Sequence, residues 1–480
     1  MYKLKIGLVG AMQINFPGDK NAQYNRSVKE LRELSSELGF DLYCYPELVV
    51  TDEDAQKAKI AIEKEKVEFL LIQNTSFSAG EVVITLAKTN CFIGLWSIPE
   101  PNYGGQVPLN SFCGINMYSS IISNYLREYA IKYKWFFGFK DNRLFLERFK
   151  VTVKALTAIQ KMKKSRVALI GGIAPGFNDL YFDERLGQKR LGLDIQRNHE
   201  YSELSEMAKS YKISDLDLSL KLVTCGYSSC SEASNANIEI NARFYKAYTE
   251  FAEKNNYDAL AISCWPKMQD EFNSVSCSII AKLNQNGIPA SCEGDLPGAV
   301  SMLLLKYLTE QTTTLMDLIA FDEEDESVLL WHCGPSAECF ADKDGVCMKF
   351  HVQNTEDGKG NPQGMINDLV IKPGIATVMR ITGEWDKIFL MDGKFLDNNK
   401  ESYQGSRGWL GDLKLNRKKI SAVDLVNSIL VQGFQHHYPV VLGDITRELM
   451  EVAAWLDLKH VEEVGYEDYL QCGDKGCQIK

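Results

Sequence analysis

Histidine is scarce in this chain, with six residues in 480, and four of them fall between positions 332 and 437. Positive charge is also in deficit: 53 Lys and Arg against 64 Asp and Glu give a formal net charge of −11. That balance argues against a phosphate backbone or an anionic membrane as the main partner, so neither nucleic acid nor membrane is expected. No apolar run reaches the roughly 18–20 residues needed to span a bilayer. Several catalytic signatures are missing as well: HExxH, a Walker loop, GxSxG and paired CxxC motifs. Neither Gly7–Gly10 nor Gly171–Gly176 has the dinucleotide-binding spacing, which disfavours an NAD-dependent oxidoreductase. Cysteine is not scarce, but its number, 13, is odd, and Cys91, Cys264 and Cys292 lie in apolar segments. Scattered buried thiols of this kind fit a reducing cytoplasm. Cys472 and Cys477, with four residues between them, read as plain thiols. The first ten residues read as a strand and not as a signal peptide, and the chain is expected to be cytoplasmic.

The chain is too long for one ordinary core, so two or three domains are expected. Up to about residue 318, short apolar strands alternate with helical stretches. Strands near 3–12, 41–46, 69–72 and 91–96 are separated by helices near 23–38 and 52–66. A long helix near 141–164 closes the first unit. Strands at 167–170 and 259–262 and helices at 235–254 and 273–284 repeat the theme. Alternation of this kind implies parallel sheets with helices on both faces, with ligand contacts on loops after the strands. After residue 318, strands are expected at 328–331, 347–352, 369–371, 376–382 and 388–391, between Gly, Asp and Asn turns. That is the pattern of an antiparallel barrel or sandwich. The expected fold is α/β, with two Rossmann-like parallel-sheet α/β domains followed by a mostly antiparallel, barrel-like C-terminal domain. The expected boundaries are 1–164, 165–318 and 319–480.

The stretch Cys292-Glu293-Gly294-Asp295-Leu296-Pro297-Gly298-Ala299-Val300-Ser301-Met302-Leu303 places two carboxylates on a polar turn before a buried-looking helix. Asp317 is a lone carboxylate among apolar neighbours, and a buried carboxylate needs a partner or a metal. His332 ends a predicted strand, and His436-His437 sit on a Gly-rich loop before another. Carboxylates with imidazoles and open positions suit a divalent first-row ion such as Mn²⁺. Such a site can polarise a carbonyl while a nearby carboxylate moves protons. On spacing alone a plainer reading stands beside this one: His332 in the core, Asp295 capping the helix and Glu293 solvated.

At these residues the sequence resembles the L-fucose isomerase / L-arabinose isomerase superfamily of aldose–ketose isomerases. The Glu-x-Asp…Gly-Ala-Val-Ser-Met-Leu run carries the strongest match, from Glu293 to Leu303. The resemblance implies metal ligation by Glu293, Asp317 and His437, with His332 as a further ligand or an orienting group. It implies Mn²⁺ or another divalent first-row metal, a small sugar substrate and a cis-enediol route in which Glu293 and Asp317 move protons. It also implies a homohexamer with loops reaching a neighbouring subunit, which would make Gln13 and Phe77 substrate contacts. Trp265 and Trp409 could stack on the sugar or pack in the core. Glu293-Gly294-Asp295 is similar to the arabinose branch and Gly298–Leu303 to the fucose branch, which leaves the sugar open. The alternative is a sugar-binding or regulatory protein of the same fold without activity.

Overall fold

The computed structural model describes residues 2–216, 218, 235–351, 364–397 and 400–467. The chain divides into two compact units, Met1–Gln160 and Lys161–Lys480. Among the described residues, no helix is long and apolar enough to cross a membrane. Cys472 and Cys477 lie outside them.

In the first unit, strands β1 (Lys5–Ala11), β2 (Asp41–Cys44), β3 (Phe69–Asn74), β4 (Phe92–Ser97) and β5 (Tyr133–Phe137) form one sheet in the order β2-β1-β3-β4-β5. Every pairing in it is parallel. The central strand β3 is buried along its whole length, which is why it reads as an unbroken apolar run rather than an alternation. Helices α1 (Lys20–Leu38), α2 (Asp52–Lys64), α3 (Gly80–Leu86), α4 (Ser111–Ser120) and α5 (Arg143–Met162) complete the unit. The boundaries follow local chemistry. Asp19 caps α1 by accepting from the Ala22 N–H, and Gly39 ends it at φ 72°. Thr51 and Asp54 form a capping box at the start of α2.

The second unit opens with another parallel sheet, in the order β7-β6-β8-β9. Its strands are β6 (Arg166–Ile170), β7 (Asp194–His199), β8 (Ala259–Ile262) and β9 (Ala290–Ser291). Around it lie α6 (Glu184–Leu191), α7 (Tyr201–Ser210), α8 (Asn235–Asn255), α9 (Lys267–Phe272) and α10 (Cys277–Gln285). The helix expected near 273–284 is α10, which starts at Cys277; the short α9 before it is an addition, ended by the left-handed backbone of Asn273.

Helix α11 (Leu296–Thr309) follows, and nearly every residue of it is buried. It packs against β6 and β8 of the parallel sheet and against strands β14 and β18 of the sheet that comes next. A helix covered on all sides must be apolar all round, and this explains the Ala-Val-Ser-Met-Leu-Leu-Leu run.

The rest of the chain is β-rich. Its strands are β10 (Thr314–Asp322), β11 (Ser327–His332), β12 (Cys347–Lys349), β13 (Ile366–Val370), β14 (Gly374–Ile381), β15 (Lys387–Phe395), β16 (Ser406–Leu415), β17 (Lys418–Lys419), β18 (His437–Leu442) and β19 (Lys459–His460). Helices α12 (Ala422–Val431) and α13 (Thr446–Leu456) flank them. Strands β16, β11, β10, β18, β14 and β15 pair antiparallel in turn, and β15 pairs back to β16. Six strands therefore close into a barrel, which leaves no exposed sheet edge among them. Its core includes Met316, Val328, Leu330, Phe389, Phe395 and Tyr438. Two parallel α/β sheets and an antiparallel barrel are the fold class expected from the sequence. Strands β10 and β16 are additions to the strands expected from it. In β16, Gly408 lies where a Cβ would come 2.7 Å from the Phe395 ring, so glycine is needed for packing in a strand that otherwise reads as a turn.

Candidate metal and sugar site

The second unit gathers its functional groups at one end of its parallel sheet and at the neighbouring end of the barrel. The loop after β6 carries Phe177 and Asp179, the loop after β8 carries Cys264 and Trp265, and the turn after β9 carries Glu293. Loops at the C-terminal ends of parallel strands are where ligands bind in such sheets. From the barrel come Asp317 on β10, His332 at the end of β11 and His437 at the start of β18. Asp317 and His437 are directly opposed across the β10–β18 ladder, so their side chains share a face.

Glu293 sits on a sharp turn, with φ 59° at Glu293 and 72° at Gly294. The Ala174 N–H donates to the Glu293 carbonyl (2.9 Å) and the Gly294 N–H to the Ile262 carbonyl (2.9 Å). The Gly171–Gly176 loop therefore serves to hold the Glu293 turn. Gly294 cannot be replaced without strain, because a Cβ there would lie 2.2 Å from the Gly172 carbonyl oxygen.

Asp295 is fully buried and does three things. It caps α11 by accepting from the Gly298 N–H (2.9 Å). It takes a two-pronged bond from the Arg380 guanidinium at 2.7 and 2.9 Å. It also bonds His437 Nδ1 at 3.0 Å. Burial by itself would raise the Asp295 carboxyl, but Arg380 and His437 hold it well below the usual carboxylate range. A carboxylate on Nδ1 keeps the imidazole proton there and turns the Nε2 lone pair outward, the arrangement that prepares a histidine to bind a metal.

His437 Nε2 then faces both candidate carboxylates, 3.4 Å from Glu293 Oε2 and 3.6 Å from Asp317 Oδ1. His437 Nε2 and Asp317 Oδ1 are buried and have no hydrogen-bond partner among the described residues. Buried polar atoms left unpaired are costly, and two that converge on one point fit an ion between them. Asp317, His332 and His437 form one group of ligand atoms within 4.8 Å of one another, and Glu293, His436 and His437 form a second. Desolvation pushes the Asp317 carboxyl up, opposed by the surrounding histidines.

His332 differs from His437. Its ring stacks on that of His437, with centroids 5.3 Å apart, but its Nδ1 accepts from the Cys333 N–H at 2.8 Å. A neutral ring in that arrangement carries its proton on Nε2, so it presents a donor and not a lone pair. Burial would lower the His332 pKa, yet the neighbouring Asp317 and Cys333 raise it well above the usual value. His332 Nε2 is buried and, like His437 Nε2 and Asp317 Oδ1, has no hydrogen-bond partner among the described residues.

The family resemblance gives the ligand role to His437, yet His436 also reaches the site. Its Nδ1 lies 2.7 Å from Asp179 and its Nε2 3.3 Å from Glu293. Burial works against its protonation, but these two carboxylates lift its pKa to about 9. Arg380 and Asp179 are site residues that reading the sequence does not reach. The lone Arg in an apolar strand, Val378-Met379-Arg380-Ile381, is a usable signal that a buried anion has to exist; Asp179 gives none.

Trp265 and Glu293 both line a cavity of about 270 Å³ that also takes in Cys264, Gln269, Val275, Cys277, Cys333 and His351. Phe177 stands edge-on to Trp265 at 5.8 Å and beside His436 at 5.5 Å, giving the site an aromatic wall. Trp409 does not line this cavity; on β16 it carries the Lys400 ammonium 3.7 Å above its ring. Gln13 and Phe77 belong to the first unit, in the loops after β1 and β3. There the Gln13 N–H donates to Ser76 Oγ (3.0 Å), which brings the two loops together.

The chain is an isomerase, since it is similar through most of its length to enzymes of that class. In particular, it is similar to the sulfoquinovose isomerases of Priestia aryabhattai and Priestia megaterium, each 26% identical over 428 residues, covering 86% of this chain and 90% of the relative. That of Clostridium sp. is 26% identical over 449 residues, covering 91% and 94%. No protein-family model matches the chain. Among solved structures, an ABC transporter solute-binding protein from Agrobacterium vitis bound with alpha-D-tagatopyranose aligns with 65% of this chain and 90% of its own. Its identity is 13% and its TM-score 0.18, too low to bear on fold or function.

Proposed function

We propose that this protein is a metal-dependent aldose–ketose isomerase working through a cis-enediol, with sulfoquinovose as the first substrate to test. The observation that carries the metal reading is the pair of unpartnered buried atoms, Asp317 Oδ1 and His437 Nε2, with Glu293 beside them. The substrate follows from the sulfoquinovose isomerases that the chain resembles over most of its length.

In this reading Glu293, Asp317 and His437 would hold the ion, Mn²⁺ or another divalent first-row metal. When bound, it supplies electrophilic stabilisation of negative charge developing on the sugar oxygens. The protein residues do the remainder. Asp295 and Arg380 fix the His437 ring. Glu293 and Asp317, on two sides of that ring, take the proton from one carbon of the C1–C2 unit and return it to the other. A charged His332 ring beside Asp317 favours the charged carboxylate during transfer. Protonated His436 holds Glu293 in place through its second nitrogen while the first is tied to Asp179. Trp265 and Phe177 supply an apolar face against which a sugar ring can pack. The homohexamer belongs to the same proposal, and light scattering that returns a monomer removes it.

The test is a panel of aldoses, sulfoquinovose included, assayed for ketose formation with and without added Mn²⁺. Glu293→Gln and Asp317→Asn are each expected to abolish turnover while leaving the fold intact by circular dichroism. Near-wild-type turnover in either variant removes the mechanism. Turnover unaffected by chelation removes the metal.

A further inference from the structure

The cavity beside Glu293 has a second group of donors that the proposed isomerase chemistry does not use. Cys277 opens α10, Cys333 follows β11 and His351 follows β12, so three separate elements deliver them to one wall. Their ligand atoms lie within 4.8 Å of one another. Both thiols are buried, at 2% and 9% exposure, and His351 is 5% exposed. The two sulfurs are 3.6 Å apart. A disulfide would need about 2.0 Å. Two thiolates on one tetrahedral Zn²⁺, with bonds of about 2.3 Å, stand about 3.8 Å apart. The observed spacing thus suits a shared ion better than a covalent bond.

We infer that Cys277, Cys333 and His351 form a binding site for a soft or borderline divalent cation, Zn²⁺ by donor chemistry, separate from the carboxylate–histidine site. Two thiolates and one imidazole select Zn²⁺ over Mn²⁺, whereas Glu293, Asp317 and His437 are the harder set. All three donors line the cavity that Glu293 and Trp265 also line, so an exogenous fourth ligand has space from which to reach them. A three-ligand site with an open position is the form taken by zinc that binds an exogenous ligand, in contrast to the closed four-ligand form of structural zinc. Cys264 and Cys292, with sulfurs 2.9 Å apart, extend the thiol cluster, since Cys292 also hydrogen-bonds Cys333, but neither belongs to this group of donors.

The probe is Co²⁺, titrated into purified metal-free protein kept reduced. One equivalent is expected to give an intense thiolate-to-cobalt charge-transfer band in the near ultraviolet, and Zn²⁺ is expected to displace it. The band is expected to disappear in Cys277→Ser and in Cys333→Ser, and to persist in Glu293→Gln and in Cys264→Ser. Absence of the band in the unmodified protein overturns the site, and that result needs no variant to fold. A band that survives both Cys277→Ser and Cys333→Ser overturns it equally. Because the readout is optical, loss of isomerase activity in Glu293→Gln with the band intact leaves this inference standing alone.

Discussion

Replacing Asp295 by Asn removes one charge and no bulk, and it separates two roles that this buried residue combines. Arg380 has 0% exposure, and its partners are Asp295 at 2.7 and 2.9 Å, the His437 carbonyl at 3.0 Å and Gln435 at 3.2 Å. In Asp295→Asn the guanidinium keeps only neutral acceptors. Removing one partner of a buried pair costs about 3–5 kcal/mol, and the retained amide oxygen places this case near the lower end. At a few degrees per kcal/mol for a large unit, the melting midpoint should fall by roughly 5–10 °C. The second effect is on metal. An amide at Asp295 no longer fixes the His437 proton on Nδ1, and Mn²⁺ affinity, read by paramagnetic resonance, should fall roughly 10–100-fold. The double variant Asp295→Leu/Arg380→Met divides the two effects. Replacing a buried ion pair by apolar groups is often neutral for stability, so the melting midpoint should largely recover while Mn²⁺ affinity stays low. A double variant with wild-type Mn²⁺ affinity refutes the claim that Asp295 orients His437. An Asp295→Asn protein that melts with the wild type refutes the energetic argument.

Two further outcomes follow from the same turn and loops. Gly294→Ala puts a Cβ 2.2 Å from the Gly172 carbonyl at φ 72°, and the combined strain and overpacking should cost about 3 kcal/mol or more, measured by thermal melting. His436 is raised from 6.5 to about 9, so in metal-free protein its contribution is fully present below pH 6.5 and is lost as pH rises through about 9. His436→Asn should therefore flatten the dependence of the melting midpoint on pH across that window. An unchanged slope would mean that the Asp179 and Glu293 contacts do not stabilise the charged ring.

Much of the architecture was legible because periodicity is local. The unbroken apolar run of β3 and the all-apolar α11 each follow from what immediate burial demands of a strand or helix. Strands β10 and β16 were harder, since a carboxylate in one and glycines in the other serve distant partners and break the local pattern. The site divides in the same way. Glu293, Asp317, His332 and His437 were visible as rare polar types in apolar surroundings, and folding brings Asp317, His332 and His437 to one group and Glu293 beside His437.

The sequence by itself determined the class of each element and the kinds of donor available. Only the tertiary structure decided which atoms face one another. It tied His437 Nδ1 to Asp295 and so freed Nε2, while the Cys333 amide on His332 Nδ1 gave the other ring the opposite polarity. It also assigned Asp295 to the buried Arg380, 85 residues away, and set the Cys277 and Cys333 sulfurs side by side. Those are choices of hydrogen-bond direction and long-range register, and no local pattern of residue types encodes them.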